Sequence, residues 1–336
     1  MQDFNSLIVI GAPKAGTTTL ARLLASHPEI HQGARKEPRF FCDFATRRWT
    51  GPGSERFASS IIGSHDEYLA LFADAAPGAW WLDASTDYLA DAGARQRLAQ
   101  WARTRRTRLI CMLRDPVDRA VSQYRHTLRD MLETETLRRA LALEPERMRA
   151  GWQPVFWHAR RSRYHADVSA YIDLFGDDLL LVDFDELRDQ TRLMQRIFGF
   201  LGLAQPDRPR TGDGASPAPL VKNRSHSYRS ARLKQLMKSP KMRSAAKMLV
   251  PEALRHRLYD SLERANRARF APGEDDLRAL HALLADDIDA CLADSRLPTQ
   301  GWTVSRRLAA GAPAAAVTRQ PGTQQPVGAQ SDRDRP

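Results

Sequence analysis

The stretch Leu7-Ile8-Val9-Ile10-Gly11-Ala12-Pro13-Lys14-Ala15-Gly16-Thr17-Thr18-Thr19-Leu20 contains a change of period from strand to helix. Leu7–Ile10 is a short aliphatic, β-branched run that stops at a glycine, the mark of a buried strand. From Thr18 the apolar residues fall at Leu20, Leu23 and Leu24, a helical spacing, and Pro28 closes the segment. A strand–glycine loop–helix junction aims backbone N–H groups and the positive end of a helix at one point, which favours a phosphate. Gly11 and Gly16 have P-loop spacing, but Thr17 stands where a triphosphate-binding lysine would be, and the lysine lies inside the loop at Lys14.

Outward from this junction the same rhythm repeats. Trp80-Trp81-Leu82, Leu109–Leu113 and Leu179–Val182 read as further strands. Pro116 opens a helix, where its missing N–H is harmless, and Thr191–Leu201 is helical. Continuous apolar strands alternating with helices predict an α/β, P-loop-like three-layer fold with a central parallel sheet flanked by helices. A chain of 336 residues, 42% hydrophobic and 27% charged, has enough core for a single domain, placed here at residues 1–305. Residues 306–336 are expected to form a disordered tail, since from Gly311 the composition turns to Ala, Pro, Gln and Gly. Cys42, Cys111 and Cys291 are odd in number and widely spaced, which excludes a disulfide framework and predicts a reducing, cytoplasmic location. No secretory signal and no membrane-spanning run is read. A net charge of +11 calls for an anionic partner without naming it.

Three motifs in chain order resemble those of sulfotransferases that use 3'-phosphoadenosine 5'-phosphosulfate (PAPS), in the carbohydrate (heparan-sulfate-like) and bacterial branch. Ile10–Leu20 resembles the 5'-phosphosulfate loop. Arg114-Asp115-Pro116-Val117-Asp118-Arg119-Ala120-Val121-Ser122-Gln123-Tyr124 resembles the 3'-phosphate motif, and Lys36-Glu37-Pro38-Arg39-Phe40-Phe41 the segment carrying the catalytic carboxylate. Asp83–Tyr88, Asp183–Leu187 with Phe200–Leu203, and Lys222–Ser225 are weaker matches. One departure is Ala84, at a position where the resembling enzymes carry a lysine near the reacting sulfate.

The resemblance implies PAPS as co-substrate and sulfuryl transfer to a hydroxyl or amine, with a carbohydrate as the first choice of acceptor and no metal required. Ala12, Pro13, Lys14, Ala15, Gly16, Thr17 and Thr18 would surround the 5'-phosphosulfate, and Arg114 and Ser122 would hold the 3'-phosphate. Lys222, Asn223 and Arg229 would close over the nucleotide. A guanidinium suits the phosphate because its donors form a fork. Lys14 would stabilise the departing group and Glu37 would take the acceptor's proton, in a reaction driven by positioning and electrostatics. His126 is the rival base, four residues after Ser122 on the same helical face, and Lys36 and His126 are candidate acceptor contacts. The plainer readings are a solvated charge cluster for Glu37 with Arg35, Lys36 or Arg39, and a surface ion pair for Arg114 with Asp115 or Asp118. Trp152, Phe156 and Trp157 are expected to pack.

Residues 222–247 hold nine Lys or Arg and no acid, fitting a solvated helix face, an acidic acceptor or an anionic membrane surface. With Tyr228 the sole aromatic there, nucleic acid is not expected as a partner. Two other functions stay open: a P-loop kinase or nucleotide hydrolase, with Asp183 and Asp185 as magnesium ligands, and a non-catalytic phosphoadenosine-binding protein.

Overall fold

The computed structural model describes residues 4–206, 227–228, 267–268 and 270–311. Five parallel strands form the central sheet: β1 (Asn5–Gly11), β2 (Ile30–Gln32), β3 (Trp80–Asp83), β4 (Thr107–Leu113) and β5 (Leu179–Asp183), in the order β2-β3-β1-β4-β5. Four of them are the predicted strands. β2 is an edge strand of three residues, too short and too polar at His31 and Gln32 to announce itself.

Leu7, Ile8, Val9 and Ile10 of β1 and Leu109 to Leu113 of β4 have no solvent exposure. Helices therefore cover both faces, as the unbroken apolar runs require. β1 lies between β3 and β4, pairing Leu7 with Leu82 on one side and Ile8 with Leu109 on the other. The chain leaves β1 toward the β2 edge and later crosses back to β4. The loops after β1 and β4 thus diverge at their carboxyl ends, the place where an open parallel sheet leaves a crevice.

Helix α1 (Thr17–Leu24) buries Leu20, Ala21 and Leu24. Two short helices, α2 (Ser54–Ala58) and α3 (His65–Ala70), precede β3, and α4 (Ala92–Ala102) follows it. After β4 comes α5 (Pro116–Arg129), with Pro116 in the first turn; the Asp115 carboxylate accepts from the Val117 and Asp118 amides. Its buried face, Val117, Ala120, Val121 and Tyr124, forms a second apolar cluster with α6 (Leu137–Arg149) and with Leu280, Leu284 and Ile288 of the later helix α9 (Glu274–Ala293). Between α6 and α9 lie α7 (His165–Phe175) and α8 (Gln190–Leu201).

The last helix among the described residues, α10 (Thr303–Ala309), is tied to the start of α5: Ser305 donates its amide and its hydroxyl to Asp115, both at 2.8 Å. It buries Leu308, so ordered packing runs past the expected boundary at residue 305. The three cysteines are free and buried. Among the described residues no helix is long and apolar enough to cross a membrane.

Candidate active site

The loop after β1 makes a tight turn, with Ala15 N–H donating to the Ala12 carbonyl at 3.2 Å. Lys14 and Gly16 take left-handed backbone, φ 70° and 88°. Gly16 is the N-cap of α1, and a Cβ there would lie 2.5 Å from Leu187 Cδ1 and 3.2 Å from the Phe184 ring. The Asp183–Leu187 segment thus serves as the floor beneath the loop. Ala12 and Ala15 are fully buried, and their amides donate to the Met112 and Ala12 carbonyls at 2.7 and 3.2 Å, so these two shape the turn rather than present a free group to a ligand. Thr17 is buried and Thr18 is exposed at the head of α1.

Arg114, at the end of β4, reaches across to this loop and donates from Nη1 to the Lys14 carbonyl at 3.2 Å. Its guanidinium lies 4.7 Å over the Phe184 ring, and Nη2 is 3.6 Å from Asp118, the weaker ion pair foreseen from the sequence. The Arg114 Nε is buried without a hydrogen-bond partner, a donor left to be satisfied. Ser122 is half-buried two turns into α5, with His126 one turn beyond.

Four predicted groups gather on this side of the sheet. The Lys36 ammonium donates to Thr18 Oγ1 at 3.0 Å and stands 4.0 Å from Glu37 Oε1. Thr17, Thr18, Lys36, Glu37 and Ala84 line one cavity of about 170 Å³. Burial, and then Arg129 and Lys36, pull the Lys14 ammonium down to about 8 against the opposing pull of Asp130 and Glu37. The His126 imidazole is pushed down to about 3, by burial first and then by Lys14 and Arg129; its Nε2 is 3.3 Å from Asp130. It is therefore neutral at physiological pH.

Glu37 is paired rather than solvated. Its Oε2 accepts from Arg39 Nη2 at 2.6 Å, while Arg39 Nε donates to Asp87 Oδ2 at 2.6 Å. Asp87 also pairs with Arg161 at 2.7 Å. Burial works to raise the Asp87 carboxyl, but Arg161 and Arg39 outweigh it and hold it below the usual range. Behind them, Asp83 accepts from Ser85, Tyr68 and Tyr88 hydroxyls at 2.7, 3.2 and 2.7 Å; burial nevertheless raises it to about 6.

A model of the sulfotransferase family matches residues 6–207, which contain every group described so far in this site. The chain belongs to the sulfotransferase family. A sulfotransferase from Alicyclobacillus acidocaldarius is 34% identical in sequence, with a TM-score of 0.57 over 63% of this chain and 87% of that one. Human heparan sulfate glucosamine 3-O-sulfotransferase 3B1 is 31% identical over 125 residues, and the membrane-associated sulfotransferase kil1 of Dictyostelium discoideum 30% over 123. These segments are 36% and 37% of this chain but only 26% and 23% of those relatives' lengths.

As a sulfotransferase, the chain uses Asp183 and Asp185 for architecture. Asp183 accepts from the Asp185 amide at 2.8 Å and the Gly301 amide at 3.1 Å, and Asp185 pairs with Arg188. The kinase reading thus loses its candidate magnesium ligands to caps and ion pairs. Lys222, Asn223 and Arg229, and the basic 222–247 stretch apart from 227–228, lie outside the described residues. Phe156 is fully buried, as expected for packing, while Trp157 lines a second cavity of about 190 Å³ beside Asp87 and Arg161. Sequence reasoning missed Asp87 and Arg161 as partners of the Glu37 segment; their pairing joins three separate loops and leaves no local signature.

Proposed function

We propose that this sulfotransferase moves a sulfuryl group from PAPS to a hydroxyl or amine of a carbohydrate or glycoconjugate, by in-line displacement at the end of β1. The observation that carries the reading is the 3.2 Å bond between Arg114 and the Lys14 carbonyl, which sets the two halves of a nucleotide site on neighbouring strands. The residues present fit such a donor: a left-handed glycine loop at a helix start, a partly buried lysine, and a guanidinium with a buried, unpartnered Nε. When bound, PAPS supplies the sulfuryl group and a phosphate that leaves.

The chain's own groups divide the remaining work. Lys14, Thr17, Thr18 and the loop amides hold the 5' end, and Lys14 offsets the charge on the oxygen left behind when the sulfur–oxygen bond breaks. Arg114 and Ser122 hold the 3'-phosphate. Glu37 receives the proton as the acceptor oxygen or nitrogen bonds to sulfur. Glu37 is favoured over His126 because it lines the cavity beside Thr17 and Thr18, whereas His126 Nε2 faces Asp130. Lys36, bonded to Thr18 in the cavity that Ala84 leaves open, takes the role of the second cation.

The names of the human relatives support a glycan acceptor, and Ala84 argues against carrying heparan sulfate specificity across. Residues 1–305 with the remainder of α10 act as one catalytic domain, and three unpaired cysteines support a reducing, cytoplasmic setting. The test is thermal stabilisation by 3'-phosphoadenosine 5'-phosphate (PAP) against ATP and AMP. A response selective for PAP, and lost in Arg114→Ala, is expected. Equal responses to all three nucleotides would overturn the donor assignment.

A further inference from the structure

The segment holding Glu37 has unusual backbone. Glu37 and Arg39 both adopt positive φ, 51° and 56°, on either side of Pro38, although neither is a glycine and a residue before proline favours extended backbone. Such conformations persist where the surroundings over-determine them. Here they do. The Arg39 amide donates to Ser85 Oγ at 3.0 Å, the Pro38 carbonyl accepts from the Ile62 amide at 2.9 Å, and the Arg39 carbonyl accepts from the Cys42 amide at 3.0 Å.

The Arg39 side chain is only 13% exposed, and all three of its nitrogens are engaged. Nε goes to Asp87; Nη1 to the Glu37 carbonyl at 3.0 Å and Ser60 Oγ at 3.1 Å; Nη2 to Glu37 Oε2. Asp87, 5% exposed, is held from its other side by Arg161, itself 7% exposed. The result is a fixed line, Arg161–Asp87–Arg39–Glu37, that ends on one oxygen of one carboxylate. The other oxygen, Oε1, is the one nearer Lys36, and both residues line the cavity shared with Thr17 and Thr18.

We propose that Arg39 is a positioning residue: it pins Oε2 of Glu37 so that Oε1 alone takes the acceptor's proton, with Asp87 and Arg161 keeping Arg39 in place. The inference rests on Glu37 being the base. In the step, the acceptor O–H (or N–H) bond breaks and its proton goes to Oε1, the acceptor's electron pair forms the bond to sulfur, and the bond from sulfur to the bridging oxygen of PAPS breaks, its electron pair leaving on the 5'-phosphate of PAP. A carboxylate free to rotate would present either oxygen, in many orientations, to a reaction that tolerates little misplacement. A guanidinium suits the task because its planar fork can serve two carboxylates at once, which an ammonium cannot do with the same geometry.

The experiment is a double-mutant cycle on the full chain, reading PAP released from PAPS with a glucosamine-containing oligosaccharide, or with water where that is faster. Arg39→Gln is expected to lower kcat about 100-fold, with the KM for PAPS and the stabilisation by PAP unchanged. Arg39→Lys is expected to recover part of the loss. Asp87 keeps Arg161 in these variants, and a melting curve checks that the fold survives. The deciding comparison is Arg39→Gln in a Glu37→Gln background, where it is expected to change nothing further. An equal loss in both backgrounds, or full activity in Arg39→Gln, would overturn the positioning role. Full activity in Glu37→Gln alone would instead remove the base assignment on which it stands.

Discussion

Raising the pH should release the donor nucleotide through Lys14. Its ammonium titrates near 8 in the free protein, because burial and the neighbouring Arg129 and Lys36 outweigh Asp130 and Glu37. Both monoester phosphates of PAP are fully ionised above pH 7.5, since their second ionisation lies near 6. His126, pushed to about 3, is already neutral. Lys14 is then the group whose charge changes while the ligand's does not. From a value of about 8, the protonated fraction falls from about nine-tenths at pH 7 to about one-tenth at pH 9, so PAP affinity should drop about tenfold, or ~1.4 kcal/mol. The bound anion favours the ammonium, so binding at pH 9 should take up close to one proton. Calorimetry at pH 7 and 9, in two buffers of different ionisation heat, reads both quantities. Lys14→Met should bind weakly at pH 7 and show no such slope. Flat affinity in the parent protein, or the same slope in Lys14→Met, would refute the reasoning.

Two further outcomes follow from the geometry. Gly16→Ala forces a left-handed alanine against Leu187 and Phe184, and is expected to lower stability by about 1–3 kcal/mol and abolish the PAP response; Gly78→Ala, equally left-handed but with nothing within 4 Å, should keep that response in the same thermal assay. His158 is fully buried with both ring nitrogens unpartnered, and burial, then Arg119 and Arg147, push it to about 3. The unfolded chain binds that proton near 6.5, so stability is present above 6.5 and is lost as pH falls from there toward 3, at about 1.4 kcal/mol per unit. His158→Leu should melt with a shallower dependence on pH between 6.5 and 4.5. Asp83, raised to about 6, acts in the opposite direction but is common to both proteins and cancels in the comparison. An unchanged slope would show that His158 charges freely in the folded state.

What the sequence discloses and what it hides follow from the range of the interactions involved. β1, β3, β4 and β5 are legible because a strand buried on both faces must be apolar throughout, and Leu7–Ile10 and Leu109–Leu113 are. The donor loop is legible for a similar reason: Gly11, Lys14, Gly16, Thr17 and Thr18 act together over eight residues, and their spacing is itself the geometry. Helix α9 carries Leu277, Leu280, Leu284 and Ile288 at helical intervals, yet what it covers, the outer face of α5 more than 150 residues earlier, follows from no local pattern. The Glu37 segment lies at the far end of this scale. Local rules favour extended backbone at Glu37, ahead of Pro38; the fold delivers left-handed backbone and a line of ion pairs that runs from half-buried Glu37 and Arg39 to buried Asp87 and Arg161. Places where tertiary contacts overrule local preference in this way are the places where function is expected to reside, because strain without use is removed easily by a single substitution. On that ground the proposed exit for the acceptor's proton lies at Glu37, held by Arg39, rather than at the better-behaved His126.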